Sequence, residues 1–187
     1  MDTASLKTYL LDHASLALPV LEAEQRLAAV LILLTPGDDG PELIFTKRSQ
    51  ELASHAGQIS FPGGTVETTD KNPIHTALRE SEEEIGLNPQ NVEILGTLDW
   101  HTLPTGFVVL PVIGHLDQKQ DFVAAPEEVE EIFSIPLTAL LDTKLYKSDF
   151  ISRNGIKRRF YFFEFKEYYI WGATAGMLRS LALKLSG

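Results

Sequence analysis

Apolar residues in this chain gather in short continuous runs that end at turn residues, and only a few stretches repeat with a helical period. Runs of this length between turns are typical of buried strands. The Pro- and Gly-containing segment 36–40 predicts a hairpin turn, and Asn154-Gly155 predicts a later one. The predicted strands cover residues 26–34, 43–48, 58–61, 92–100, 107–116, 130–135, 144–152 and 156–165.

The clearest predicted helix covers residues 73–85, because both of its ends carry suitable capping residues. Asn72 suits the N-cap and Pro73 the first helical position, while Gly86 suits the position that follows the last turn. Strands dominate the middle of the chain and helices are few, which predicts an α/β fold with a mixed sheet and helices on its faces. The other predicted helices are an amphipathic one over 6–16, a short one over 136–141 and a closing one over 173–185.

Composition and charge narrow the classes of function. The chain has 187 residues, 44% of them hydrophobic and 22% charged, as is usual for a globular protein of one domain. It has no cysteine, which excludes disulfides, thiolate metal sites and a cysteine nucleophile. The net charge of −10 argues against a broad nucleic-acid surface, which needs a basic face. A small anionic substrate stays compatible, because bound cations reverse the local field.

The ends and apolar runs bear on localisation. No apolar run is long enough to span a bilayer, and residues 1–19 lack the basic start of a secretory signal. We therefore predict a cytoplasmic protein with no membrane partner.

Candidate chemistry lies in the segment 63–87. At about 100° per residue, Glu80, Glu83 and Glu84 share one arc of the helix, whereas Glu82 points to the far side. Carboxylates within one turn repel each other unless a cation lies between them, and oxygen ligands of this kind suit Mg²⁺ or Mn²⁺. Taken alone, the helix is explained more simply as a solvated acidic face.

Residues around the helix favour the metal site over that simpler interpretation. Gly63 and Gly64 allow backbone to approach a ligand closely and leave carbonyls free to bind it. Arg79 directly precedes the acidic cluster and can orient a carboxylate through paired hydrogen bonds. A glycine turn beside clustered glutamates suits a pyrophosphate group, because Mg²⁺ commonly shares its ligands with substrate phosphates.

These residues resemble the Nudix box, Gly-x5-Glu-x7-Arg-Glu-U-x-Glu-Glu-x-Gly-U, in which U is aliphatic. Gly64 and the run Arg79-Glu80-Ser81-Glu82-Glu83-Glu84-Ile85-Gly86-Leu87 match it. Ser81 departs from the pattern because an aliphatic residue is usual there. Asp70 replaces the first glutamate and stands one residue further from Arg79 than the pattern has it.

The resemblance implies a Nudix-type α/β/α sandwich with a mixed central sheet. The whole chain, 1–187, would form a single domain, with 1–25 as a helical extension and 63–87 as the box. The implied reaction is hydrolysis of a phosphoanhydride bond by a metal-activated water. Glu80, which is also assigned to catalysis with Arg79, and Glu84 would be the principal metal ligands, helped by Glu83 and the Gly64 carbonyl. The general base stays open: Glu128, in the acidic loop 125–131, is the first candidate and Glu127 the second, and a solvated acidic run explains this loop equally well.

An upstream motif indicates the substrate. Residues 43–49 and 57–64 resemble the signature of coenzyme A diphosphatases, Leu-Leu-Thr-x-Arg-Ser-x3-Arg-x3-Gly-x3-Phe-Pro-Gly-Gly, although Ala53 replaces one arginine. Residues 169–176 resemble the Trp-Gly-x-Thr-Ala segment of bacterial members. The resemblance implies cleavage of CoA or acyl-CoA to 3′,5′-ADP and (acyl-)4′-phosphopantetheine. The residues expected to bind substrate are Arg48, Ser49, Gly57, Phe61 and Gly63.

Several other polar and aromatic residues receive a structural interpretation first. His55 and His75 are expected to make ordinary hydrogen bonds. The run Lys157-Arg158-Arg159 is expected to face water, with binding of the substrate's 3′-phosphate as the alternative. Trp171 is expected in the core, with stacking on a base as the alternative.

Two other functions stay open at this point. One is a Nudix enzyme for another nucleoside diphosphate derivative, such as a dinucleotide or a nucleotide sugar. The other is a Nudix-like domain that senses a nucleotide without turnover, which the intact glutamate cluster disfavours because a binding module does not need repelling carboxylates. We expect a CoA-like small-molecule partner and no nucleic acid, and the sequence leaves a homodimer open.

Overall fold

The predicted hairpin forms the centre of the main sheet. The computed structural model describes residues 6–51, 56–153 and 155–186. In it, β1 (Arg26–Gly37) and β2 (Gly40–Arg48) pair in antiparallel fashion around a turn at residues 38–39. β1 also pairs in parallel with β7 (Phe107–Leu116), from Arg26 opposite Phe107 to Leu34 opposite His115.

Five further strands complete this eight-stranded sheet: β3 (Ile59–Ser60), β4 (Gly63–Thr65), β5 (Val92–Thr97), β6 (His101–Thr102) and β8 (Val129–Pro136). The strand order is β3-β2-β1-β7-β5, while β4, β6 and β8 pair with β1, β7 and β2 respectively. The β1–β7 pair is parallel and the remaining pairs of this sheet are antiparallel, so the sheet is mixed.

A second, three-stranded antiparallel sheet follows late in the chain. It consists of β9 (Lys147–Arg153), β10 (Ile156–Phe165) and β11 (Tyr168–Trp171), with β10 in the middle. The α-helices are α1 (Pro73–Ile85), α2 (Leu137–Leu140) and α3 (Gly172–Ser186). Within the described residues, no helix is long and apolar enough to cross a membrane.

Apolar clusters cover both faces of the central sheet. Ala29, Leu31 and Leu33 of β1 pack with Ala77 and Ile85 of α1 on one face. The alternate β1 residues Ile32 and Leu34 belong to the cluster on the other face, which includes Leu178 and Leu181 of α3. Successive strand side chains point to opposite faces, so the continuous apolar run of β1 reflects burial on both sides. This arrangement is the predicted α/β/α sandwich.

The predicted elements are largely confirmed, with a few exceptions. The helix predicted over residues 6–16 is wrong: Leu11 forms an isolated β-bridge with Thr97, and the described helical structure there is one turn at residues 6–7 and a 3-10 turn at His13–Ser15. Residues 16–25 contain neither helix nor strand, so they do not form a helical extension. The strand predicted over 92–100 ends at Thr97. Asn154 lies outside the described residues, and Arg153 pairs with Ile156 around it.

Candidate active site

The turn before the acidic helix can be built only with glycine. Gly63 has φ of 151°, and a Cβ there would overlap the Ala29 carbonyl on β1. A Cβ on Gly64 would overlap the carboxylate of Glu80. The two glycines therefore let the chain run tightly along β1 and let the Glu80 carboxylate lie directly over the backbone.

The capping residues of α1 act as predicted. The Asn72 side chain accepts a hydrogen bond from the His75 amide at 2.9 Å, and Gly86 has the left-handed φ of 65° that closes the helix. Ser81 is fully buried, and its hydroxyl donates to the Ala77 carbonyl at 2.6 Å. That bond explains how a serine occupies a position where the family has an aliphatic residue.

Arg79 connects the carboxylate before the helix to those on it. Its guanidinium donates to both oxygens of Asp70, at 3.0 and 3.1 Å. It also donates to Glu80 and to Glu83, each at 2.9 Å. Asp70 therefore pairs with Arg79 despite the longer gap between them in the sequence.

Asp70 is held as a charged, fully buried group. Its side chain has 0% exposure and also accepts from the Thr76 hydroxyl and the Glu67 amide, both at 2.9 Å. The hydrogen bonds from Arg79 are the main cause that holds the pKa of Asp70 well below its usual range. The same ion pair raises the pKa of Arg79, so this partly buried cation stays charged and fixes the carboxylates around it.

Glu84 is the most enclosed of the acidic residues on the helix, with 3% exposure. One of its oxygens accepts from the Gly63 amide at 3.3 Å, and the other lies 3.8 Å from Nη1 of Arg48. Burial raises the pKa of Glu84 to about 8, and the charges of Glu128 and Glu80 add to that increase although Arg48 opposes it. A carboxylate in this state gains from a nearby cation.

Glu80 shares this environment to a smaller degree. Burial raises its pKa, the hydrogen bond and charge of Arg79 oppose the rise, and the charges of Glu83 and Glu128 add to it. Glu82 and Glu83 are exposed, and Glu83 is turned towards Arg79. Glu80 and Glu84 therefore face the same pocket of negative charge, with Glu83 at its rim.

The acidic loop is fastened to the end of α1. The amides of Val123 and Ala125 donate to the carbonyls of Ile85 and Glu84, at 3.0 and 2.9 Å. The Ser49 amide donates to the Glu128 carbonyl at 2.9 Å, next to an irregularity in the β2–β8 pairing. These bonds bring exposed Glu128 close enough to act electrostatically on Glu80 and Glu84.

The donor set suits a hard divalent cation, although its geometry is not that of a finished site. Across the described ranges, no group of three acidic or histidine side chains is already arranged around one point. Glu80, Glu84 and Glu128 nevertheless supply only oxygen atoms, carry mutually repelling charges and include one buried carboxylate with a raised pKa. Such groups match the ligand preference of Mg²⁺ and Mn²⁺.

The residues expected to bind substrate separate into two groups. Arg48 reaches the acidic pocket, and its Nε is buried without an acceptor among the described residues. Gly57 has φ of 68° and donates its amide to the Arg48 carbonyl at 3.1 Å. These two and Gly63 border the site. Ala53 and His55 lie outside the described residues.

Phe61 and Ser49, the other two residues expected to contact substrate, are buried in the structure. Phe61 is 2% exposed and its ring stacks on Phe45 with 5.0 Å between centroids, so it fixes the following turn from the core. Ser49 is buried, and its hydroxyl accepts from the Glu51 amide at 3.3 Å while its own amide holds Glu128. Both residues support the backbone of the site through these contacts, and their contact with substrate stays a prediction.

Two contacts that support the site were not anticipated. The buried Thr174 hydroxyl donates to the Ile59 carbonyl at 3.1 Å, which ties α3 to the strand that leads into the glycine turn. The Gln120 side chain donates to the Gly86 carbonyl at 2.9 Å, beyond the helix end. Both join residues far apart in sequence, so only the Trp-Gly-x-Thr-Ala resemblance had marked Thr174 at all.

Known proteins are similar to this chain in sequence or in fold. A NUDIX domain model matches residues 25–155. NudL of Enterobacter sp. (strain 638), named an uncharacterized Nudix hydrolase, is 40% identical over 161 residues, which are 86% of this chain and 83% of NudL. NudL of Salmonella newport (strain SL254) is 38% identical over 189 residues, which cover 99% of this chain and 98% of that NudL. The crystal structure of the M. smegmatis Nudix hydrolase RenU has a TM-score of 0.52 at 17% identity, over 71% of this chain and 81% of RenU, and supports the fold alone.

The family match spans the glycine turn, α1 and the acidic loop, so the residues that form the site described above are those that the family model aligns. The relatives extend the similarity over nearly the whole chain. This protein therefore belongs to the Nudix hydrolase family and acts on phosphoanhydride bonds.

Proposed function

We propose that this enzyme cleaves CoA or acyl-CoA to 3′,5′-ADP and 4′-phosphopantetheine or its acyl form. One observation carries the proposal: the CoA signature and the Nudix box meet at a single carboxylate. Arg48 from the signature and the Gly63 amide from the shared Phe-Pro-Gly-Gly turn contact opposite oxygens of Glu84. The residues that resemble a substrate signature thus stand beside the residues that resemble a reaction centre.

The proposed cofactor is Mg²⁺ or Mn²⁺, held by Glu80 and Glu84 with help from Glu83 and the Gly64 carbonyl. When bound, such a cation lowers the pKa of a water molecule and polarises a phosphoryl oxygen. Arg79 keeps Glu80 in place through its 2.9 Å hydrogen bond and is itself fixed by Asp70. Arg48 is placed to bind a phosphate oxygen of the substrate.

Glu128 is the proposed general base. Its carboxylate is exposed and near both helix carboxylates, so it can accept the proton of the attacking water. The water oxygen forms the new bond to one phosphorus of the diphosphate, and the bond from that phosphorus to the bridging oxygen breaks. The bridging oxygen leaves with the other phosphate, so that each product keeps one of the two phosphates of the cleaved diphosphate.

A diphosphate panel tests this substrate assignment. CoA, acetyl-CoA, dephospho-CoA, ADP-ribose, a dinucleoside polyphosphate and nucleoside triphosphates are incubated with Mg²⁺ or Mn²⁺, and the products are separated by chromatography. The expected result is release of 3′,5′-ADP from CoA, with dephospho-CoA turned over at a different efficiency. Faster turnover of nucleotide sugars or triphosphates than of every CoA species would contradict the proposal and favour another nucleoside diphosphate derivative.

A further inference from the structure

A cavity of about 610 Å³ is lined by residues of β2, β3, β8 and β11 and by the segment before β3, and by no residue of α1. We call it the outer cavity. Its lining includes the signature segment at Gly57 and Gln58, and β11 with Tyr169 and Trp171. Its size lies within the range of pockets that hold small ligands, which is about 300–1,000 Å³. The outer cavity therefore brings part of the upstream signature together with the late Trp-Gly-x-Thr-Ala segment.

Aromatic rings form the β11 wall. Tyr169 is 46% exposed, although its large aromatic side chain belongs to a sheet. Trp171 is half-buried and meets Phe160 edge-on, with an interplanar angle of 78° and 5.9 Å between centroids. An aromatic surface of this kind stacks on the flat face of any heteroaromatic base.

Charges at the cavity wall favour a neutral ring with an amine over a phosphate. Glu131 and Glu167 supply acceptors, and Glu131 already receives the Tyr168 hydroxyl at 2.6 Å. Lys47, the cation at this wall, is paired with Glu130 at 2.6 Å. The excess of carboxylates repels phosphate but accepts hydrogen bonds from an exocyclic amine.

The outer cavity lies one residue from the acidic site along β2. Neighbouring strand residues point to opposite faces, so Lys47 lines the cavity while Arg48 reaches Glu84. The loop amide that binds the Arg48 carbonyl comes from Gly57, which also lines the cavity. Gly57 and the adjacent pair Lys47 and Arg48 therefore connect the outer cavity to the acidic site along the chain.

We propose that the outer cavity binds the adenine base of the substrate against the rings of both Tyr169 and Trp171, beside the signature segment. This inference rests on the proposed function for the identity of the substrate, because it assumes an adenine nucleotide. It assigns base recognition to β11 and the signature segment, on the opposite face of the sheet from the carboxylates.

Tryptophan fluorescence tests the assignment without turnover. The chain has two tryptophans, and Trp100→Phe leaves Trp171 as the only emitter. This variant is titrated with 3′,5′-ADP, ADP, IDP and 4′-phosphopantetheine in the presence of Mg²⁺. We expect the adenine nucleotides to quench Trp171 and 4′-phosphopantetheine to leave it unchanged. IDP should bind more weakly than ADP, because a carbonyl replaces the amine that faces the carboxylates.

Calorimetry with otherwise wild-type protein gives a second measurement. Tyr169→Ala should raise the Kd of 3′,5′-ADP by about fivefold to a hundredfold, the range for loss of one base stack. Phe150→Ala is the matched control, because Phe150 is a 57% exposed ring on the same small sheet that does not line the cavity.

The outcomes separate this inference from the proposed function. An unchanged Kd in Tyr169→Ala, or a Trp171 response to 4′-phosphopantetheine alone, would overturn the base assignment even if CoA is hydrolysed. Quenching by adenine nucleotides without any CoA hydrolysis would support the cavity and refute the proposed substrate.

Discussion

Glu84 shows at the scale of one residue how reactivity opposes stability. A carboxylate buried to 3% exposure beside Glu80 and Glu128 is unfavourable for the unliganded fold, and its pKa of about 8 expresses that cost. The same features make it a strong ligand once a cation is near. We therefore expect the charge of Glu84 to be kept for the reaction and not for the fold.

Replacing the glutamates one at a time tests this separation. Glu84→Gln should lower kcat by about a hundredfold or more, since one strong transition-state contact contributes roughly 3–4 kcal/mol, while its urea unfolding free energy stays equal to or above that of the wild type. Glu80→Gln should lose activity similarly. Glu82→Gln is the matched control, because Glu82 is exposed on the far side of α1, and equal losses at Glu80 and Glu82 would contradict the assignment of the helix faces.

Asp70 has the opposite role, since its charge is satisfied by protein. Asp70→Asn removes the charge that pairs with Arg79, while Arg79 keeps Glu80 and Glu83 as partners. We therefore expect a loss of about 1.5–3 kcal/mol in unfolding free energy at pH 7, the range for a hydrogen bond to a charged group. The folded-state pKa of Asp70 lies below its unfolded value, so its stabilisation is present above about pH 4 and is lost as pH falls further. Urea unfolding at pH 7 and near pH 3 should therefore show the gap between wild type and Asp70→Asn shrinking in acid. A gap independent of pH would mean that the ion pair is not its cause.

At the scale of elements, Thr174 links α3 to β3 through its bond to the Ile59 carbonyl. Thr174→Val keeps the shape but leaves a buried carbonyl unpaired, which should lower the unfolding free energy by roughly 1–3 kcal/mol. Because β3 leads from the signature segment to the glycine turn, the variant should also raise KM. Thr174→Ser retains the hydroxyl and should restore KM. A valine variant with unchanged KM would show that the bond serves only stability.

Elements whose signals are local could be predicted, and those fixed by distant contacts could not. Asn72 and Gly86 cap α1 through hydrogen bonds to residues a few positions away, so both ends of this helix could be predicted from the sequence. The hairpin between β10 and β11 was missed because its turn lacks a glycine or asparagine: Lys166 itself adopts φ of 51°. The prediction of a helix over residues 6–16 is wrong because Leu11 pairs with Thr97, and the spacing of apolar residues along the chain does not reveal such a distant contact.

In the candidate site, too, residues close together in sequence could be predicted, and those brought in by distant contacts could not. Glu80, Glu84 and Arg79 were identified because their spacing on one helix determines their neighbours. Glu128 reaches them only through the Ser49 amide and the end of α1. The burial of Phe61 depends on packing against Phe45 from another strand, so sequence similarity alone assigned it to the ligand.

At the scale of the whole molecule, binding of a cation should stabilise the fold. At a Mg²⁺ concentration of 100 times its Kd, the expected gain is about 2.7 kcal/mol, or a rise of roughly 5–11 °C in Tm for a chain of this size. Differential scanning fluorimetry should show this rise in wild type and not in Glu84→Gln, with matched NaCl as the control for ionic strength. Equal rises in both proteins would indicate that the cation binds elsewhere.

The acidic loop is attached to the carbonyl of Glu84 and not to its carboxylate. Residue 84 therefore has two separate roles: its backbone carbonyl positions the acidic loop, and its carboxylate takes part in the reaction. Removing the charge of the carboxylate does not change the backbone carbonyl. We therefore expect a Glu84→Gln protein to keep the acidic loop, the glycine turn and the outer cavity in their wild-type positions. Such a protein is suited to bind the substrate without cleaving it, and crystals grown with it would contain the intact substrate that the active enzyme hydrolyses.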